Sequence, residues 1–323
     1  MKFFNVFLAA CLLPHLPDAS AAPPRGLDVM LILGAAGSEE YGSRFAEQAR
    51  VWKDACARAD VPVDVIGDVS TPSADANDIE ALRTKLQAAA AQSQRAQLWL
   101  VWIGHGTYDG REAKFNLRGP DVTAKQAGDW LRACQRELVI VQTASASAPF
   151  LSALSGKGRT IVTATKGADE VFYARFGEYF APAIAGSAEA DLDKDAQVSV
   201  LEAFRHAARK VSEFYEQEGR LATEHALIED NGDGVGTRAE AFAAAPATTE
   251  KKAELDGARA SQLVLVLSPE EAALSEAVRA RRDALETQLQ AHRARRTQLS
   301  DDEYYATLEK LLRELADLYH ETP

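Results

Sequence analysis

At 323 residues the chain is longer than one compact domain usually needs, so it holds two domains or one domain with a substantial appendage. Its hydrophobic share of 46% supports an ordinary core. The formal net charge of -12 arises from interspersed acids and bases, which leaves no electrostatic footprint for a phosphate backbone and excludes nucleic acid as the expected partner.

Lys2, the apolar run from Phe3 to Leu13 and the small residues Ala19-Ser20-Ala21 have the layout of a secretory signal peptide, predicted over residues 1–21. Pro14, Pro17, Pro23 and Pro24 argue against a buried first helix. The expected location is therefore periplasmic or secreted. Leu8-Ala9-Ala10-Cys11 offers a minor lipoprotein alternative through Cys11, although the apolar run ahead of it is short. No later run approaches the roughly 18 to 20 apolar residues of a membrane-spanning helix, so no transmembrane segment is expected in the mature chain.

Residues 28–186 alternate β-branched apolar runs with helical periodicity, which predicts an α/β fold: an open, mostly parallel sheet with helices on both faces. Val29 to Leu33, Val61 to Ile66, Gln97 to Ile103, Glu137 to Val141 and Arg159 to Ala164 read as strands. Between them Glu39 to Ala59, Asn77 to Gln92, Thr123 to Cys134 and Pro149 to Leu154 read as helices. Right-handed crossovers give the strand order 2-1-3-4-5, with the first helix on one face and the next two on the other. Cys56 and Cys134 fall on apolar helical stripes and, in that order, on opposite faces, so they are expected to be buried and unpaired. Ligands in such sheets bind beyond the carboxyl ends of the strands.

At those ends the third strand finishes in Ile103-Gly104-His105-Gly106 and the fourth continues as Gln142-Thr143-Ala144-Ser145-Ala146-Ser147. The His-Gly element in this strand order resembles the caspase and legumain clan of cysteine peptidases, bacterial members included. Gly34 to Gly37, Phe115-Asn116-Leu117 and Thr163-Ala164-Thr165 add to the likeness. The resemblance implies a caspase-like domain over residues 28–186, with His105 at the catalytic histidine, Gly106 beside it and Ala144 at the nucleophile. Thiolate attack with imidazole proton transfer needs a sulfur, and alanine has none. Peptidase activity therefore does not carry over. Thr143, Ser145 and Ser147 flank the gap, and Ser145 with His105 is the alternative nucleophile pair, displaced by one residue along the strand end.

Residues 187–245 read as an EF-hand-like, calcium-binding helical segment. Asp191, Asp193, Asp195, Gln197, Ser199 and Glu202 follow the 12-residue EF-hand spacing, in which alternate oxygens surround a hard cation and the last glutamate gives two. Ala196 replaces the glycine that eases the turn, so weakened affinity is expected. Glu229, Asn231, Asp233, Val235 (through its carbonyl), Thr237 and Glu240 form a second candidate loop, against the alternative of a glycine-rich turn.

After the alanine-rich linker Ala243 to Thr249, residues 246–323 predict a strand over Gln262 to Leu267 and two helices started by Ser268-Pro269-Glu270-Glu271 and Ser300-Asp301-Asp302-Glu303. Leu274, Val278, Leu285 and Leu289 line one helix; Tyr304, Leu308, Leu311, Leu315 and Leu318 line the other, predicting a hairpin. Its arginines read as a solvated face. The expected function is a catalytically inactive, calcium-binding scaffold or binding protein of the cell envelope with an unidentified protein or peptide partner. A hydrolase using Ser145 with His105 and a purely structural assembly protein are the alternatives.

Overall fold

The computed structural model describes residues 26–68, 77–92, 96–242 and 255–320, so the predicted signal peptide with Cys11 and the alanine-rich linker lie outside the described residues. In chain order come β1 (Leu27–Leu33), α1 (Glu39–Arg58), β2 (Val63–Ile66), α2 (Asp78–Ala90), β3 (Gln97–Ile103), β4 (Gly106–Tyr108), β5 (Ala113–Phe115), β6 (Val122–Thr123) and α3 (Ala124–Leu131). There follow β7 (Glu137–Gln142), α4 (Ala148–Leu154), β8 (Arg159–Thr163), α5 (Phe176–Ile184), α6 (Val200–Gln217), β9 (Leu227–Glu229) and β10 (Thr237–Arg238). Helices α7 (Pro269–Ala273), α8 (Glu276–Ala294) and α9 (Asp301–His320) end the chain.

The five expected strands pair in parallel in the expected order, β2-β1-β3-β7-β8. Their two-residue period divides the core. Val29, Leu31, Leu33, Trp99, Val101 and Ile103 share one layer with α1, α5 and α6, whereas Met30, Ile32, Leu98, Leu100 and Trp102 share the other with α2, α3 and α4. Burial on both faces is why these strands read as nearly continuous apolar runs. Cys56 and Cys134 are free thiols buried in opposite layers. No helix among the described residues is long and apolar enough to cross a membrane.

Three features depart from the sequence pattern. First, β9 runs antiparallel to β8 and β10 antiparallel to β9, so part of the segment expected to be helical extends the sheet instead. The edge of β8 would otherwise present unpaired main-chain groups, and runs of two or three residues carry no readable period. Second, β4, β5 and β6 form a small antiparallel sheet at the end of β3. Third, Gln262 to Leu267 is not a strand. Residues Ala260–Gln262 make a 3-10 turn and Val264 only an isolated bridge to Ser199, because Leu263 and Leu265 are buried in the α6 layer rather than laid along a sheet edge.

Ser268 caps α7 by accepting from the Glu271 amide, but that helix stops at Ala273 and Ser275 caps α8 afresh. Glu271 pairs with Arg282 and accepts from the Tyr319 hydroxyl. Ser300 and Glu303 form the reciprocal cap of α9. Leu285, Leu289, Leu311 and Leu318 close the α8–α9 hairpin.

Candidate functional site

The turn from β3 into β4 places His105 among the rings of Tyr41, Phe45 and Tyr173, with centroids at 4.5, 5.1 and 5.9 Å. Its Nε2 lies 3.2 Å from the Ala36 carbonyl. A carbonyl only accepts, so Nε2 carries the hydrogen. Burial lowers the His105 pKa, opposed by that bond, and keeps the ring neutral at neutral pH. The Tyr173 hydroxyl donates to Glu178 at 2.8 Å, and Arg44 binds the same carboxylate oxygen at 2.8 Å. Tyr173 stands in no motif, so the sequence offers no signal for this polar rim beside the histidine.

Ala144, just past β7, is 1% exposed and belongs to the core layer of Trp102, Phe115 and Phe150, while the aromatic ring Phe45 beside His105 belongs to the other layer. The flanking hydroxyls are all engaged elsewhere. Thr143 donates to the Trp102 carbonyl at 2.8 Å. Ser145 donates to the Gly106 carbonyl at 3.0 Å and accepts from the Gly106 amide at 3.3 Å. Ser147 and Thr165 are paired at 3.0 Å, each also receiving the other's amide, which ties the ends of β7 and β8 together. Among the described residues no hydrogen bond joins Ser145 to His105, so the proposed nucleophile pair is not assembled. Gly106 has a packing reason for being glycine: a Cβ there would lie 2.0 Å from the Ser145 carbonyl oxygen.

In the first acidic loop, carboxylate oxygens of Asp191, Asp193 and Asp195 lie within 4.8 Å of one another. Amides fold each acid inward: Lys194 donates to Asp191 at 2.7 Å, Asp195 to Asp193 at 3.3 Å and Gln197 to Asp195 at 3.0 Å. Glu202, buried at the start of α6, closes the loop. One oxygen accepts from the Leu192 and Asp193 amides at 2.8 and 3.3 Å, the other from the Ser199 amide and hydroxyl at 2.9 and 2.8 Å. Burial, then the charges of Glu202 and Asp195, raise the Asp193 pKa, the repulsion that a hard divalent cation would relieve. Three converging aspartate carboxylates are the kind of oxygen donors that a hard cation such as calcium takes. Lys194 and Ala196 sit at φ 67° and 68°.

The second loop joins β9 to β10 rather than two helices. It repeats the same turns. Glu229 accepts from the Gly232 amide, Asn231 from Asp233 at 2.9 Å and Asp233 from Val235 at 2.7 Å, while Gly232 and Gly234 take the positive φ angles of 85° and 77°. Glu240 is directed to solvent and pairs with Arg238 at 2.8 Å. The 3-10 turn Ala239–Phe242, whose Ala239 and Phe242 pack against the core while Glu240 is exposed, replaces the helix that would swing a twelfth-position glutamate inward. Asp256, from a distant segment and 4% exposed, enters the loop instead. It accepts from the Asp230 and Asn231 amides at 2.9 and 3.3 Å and from the Thr237 hydroxyl at 2.6 Å. No local spacing could have identified it.

No protein-family model and no curated protein matches this chain. Among solved structures the chain is similar to the Drosophila initiator caspase Dronc, with TM-score 0.46 and 10% identity over 72% of this chain and 96% of that one. It is also similar to Caspase-1 from Spodoptera frugiperda, with TM-score 0.40 and 8% identity over 69% and 94% of the two chains. Protein GSU0716 from Geobacter sulfurreducens aligns with TM-score 0.41 and 11% identity over 67% and 98%. The likeness concerns the course of the chain through the α/β sheet and not its chemistry.

Proposed function

We infer that this chain is a non-catalytic, calcium-stabilised protein of caspase- and legumain-like architecture that serves the cell envelope as a binding or scaffold protein. One observation carries the reading: the nucleophile position is a buried alanine, and the neighbouring hydroxyls of Thr143, Ser145 and Ser147 are held by the main chain or by Thr165. A serine whose hydrogen goes to a carbonyl is not activated by an imidazole. The converging acids at Asp191, Asp193 and Asp195 support calcium as the structural cation, and millimolar extracellular concentrations suit a site of modest affinity. A protein or peptide partner would meet the rim of Tyr41, His105 and Tyr173, whose rings remain partly exposed.

The test is to assay the purified mature protein against peptide and ester substrate libraries, and to titrate it with calcium by calorimetry. No turnover together with calcium binding is the expected result. Turnover lost in Ser145→Ala would overturn the reading in favour of a hydrolase. Absence of calcium binding up to several millimolar would remove the cation from it.

A further inference from the structure

We propose that Asp256 completes a second calcium site, and that the cation held there fastens the C-terminal segment to the edge of the sheet. The proposal rests on the calcium reading above and deepens it, because it replaces a ligand and adds a mechanical consequence.

Asp256 stands in the second loop as Glu202 stands in the first. In each loop the first acid begins the turn, and one carboxylate oxygen of the closing residue accepts from the amides of the next two positions: Leu192 and Asp193 for Glu202, Asp230 and Asn231 for Asp256. In each loop the other oxygen accepts from the hydroxyl of the same ninth position, Ser199 in the first and Thr237 in the second. The difference is where the closing carboxylate comes from. Glu202 is local, whereas Asp256 lies 19 residues beyond Thr237.

An independent observation points to a ligand. Glu229, at the first position, is 0% exposed, and its Oε2 has no hydrogen-bond partner among the described residues. The Ser155 hydroxyl and the Gly234 amide are among the polar neighbours of the Glu229 carboxylate. Leaving a buried carboxylate oxygen unsatisfied is costly, and the second acid of the loop, Asp256, is buried as well. A hard divalent cation satisfies both acids at once. In the proposed site Glu229, Asn231, Asp233, Asp256 and the Val235 carbonyl would be the oxygen donors, their carboxylates less tightly gathered than the three of the Asp191 loop.

The consequence for the arm follows from Asp230, which accepts from the Gly257, Arg259 and Ala260 amides at 2.9, 2.9 and 2.8 Å. The loop and the segment that leads to α7 are thus interlocked, with Leu263 and Leu265 buried against α6 just beyond. Neutralising Glu229 and Asp256 holds this junction closed. Chelation leaves two buried acids facing each other across it.

Native mass spectrometry with calcium, joined to hydrogen exchange, tests the proposal on the full mature chain. Wild type is expected to carry two calcium ions. Asp256→Asn, which keeps its acceptor for the amides, and Glu229→Gln, which keeps the shape of the first ligand, are each expected to carry one, and Glu240→Gln two. Asp191→Ala should also carry one, at the second loop. Chelation should speed exchange across residues 257–265, and Asp256→Asn should exchange there at the chelated rate with calcium present. If Asp256→Asn and Glu229→Gln both retain two ions, or Glu240→Gln loses one, the proposal is overturned while the calcium reading stands. One ion in wild type that Asp191→Ala abolishes has the same meaning. No ion in wild type overturns both.

Discussion

The side-chain oxygen of Ser145 is clasped by both main-chain groups of Gly106, donating to its carbonyl at 3.0 Å and accepting from its amide at 3.3 Å. This contact joins the end of β7 to the start of β4, and it gives Ser145 a structural task at the position where a hydrolase would place a nucleophile. Ser145→Ala should cost about 1 kcal/mol of stability, the usual worth of a buried neutral hydrogen bond, and leave catalysis at background. Denaturant titration beside a substrate screen measures both. A stable variant that loses a measurable turnover would contradict the assignment.

Gly106 is expected to be more sensitive than Ser145. A methyl group there meets the Ser145 carbonyl oxygen at 2.0 Å, a backbone contact that no rotamer can relieve. Gly106→Ala should therefore lose upwards of about 2 kcal/mol, the range of overpacked cores. A melting temperature equal to wild type would show that the β4 turn is free to move.

Ala196 predicts an improvement. It holds φ at 68°, a conformation that costs an L-residue roughly 1–2 kcal/mol. Glycine removes that strain and returns roughly 0.5–1 kcal/mol as chain entropy in the unfolded state. Ala196→Gly should then stabilise the protein by up to about 1 kcal/mol and tighten calcium at the Asp191 loop. Weaker calcium binding by calorimetry would refute it.

Glu224 predicts a pH dependence. It is buried beneath the start of α5, where it accepts from the Arg175 and Phe176 amides at 2.9 and 3.0 Å. Burial raises its pKa from 4.5 to about 7, against the lowering by those amides and by Tyr215. Between these two values the folded protein holds a proton that the unfolded chain has released, so stability falls as pH rises through the window. The full loss above the folded pKa is on the order of 3 kcal/mol. Denaturation measured from pH 4 to 9 should show this decline, and Glu224→Gln should flatten it. An unchanged slope in the variant would place the titration elsewhere.

How far each site is legible depends on how local its parts are. Asp191 to Glu202 announce themselves because every side chain lies within one turn and the helix it starts, so spacing alone brings them together. Asp256 is invisible by the same criterion: its partners are the amides of Asp230 and Asn231 and the hydroxyl of Thr237, and only the pairing of β9 with β8 and the burial of Leu263 and Leu265 carry it there. Tyr173 reaches His105 in the same way, through the packing of α5 on α1.

Sequence alone determined the parallel sheet, its strand order, the opposite burial of Cys56 and Cys134, and the absence of a thiol at Ala144, because each follows from period, handedness or residue identity. Only the tertiary structure decided where the hydroxyls beside Ala144 point, that Glu240 faces solvent, and that the sheet gains β9 and β10 at its edge. These depend on hydrogen-bond partners remote in sequence. A main-chain edge or a buried carboxylate takes whichever partner the packed chain delivers, and local pattern does not encode that delivery.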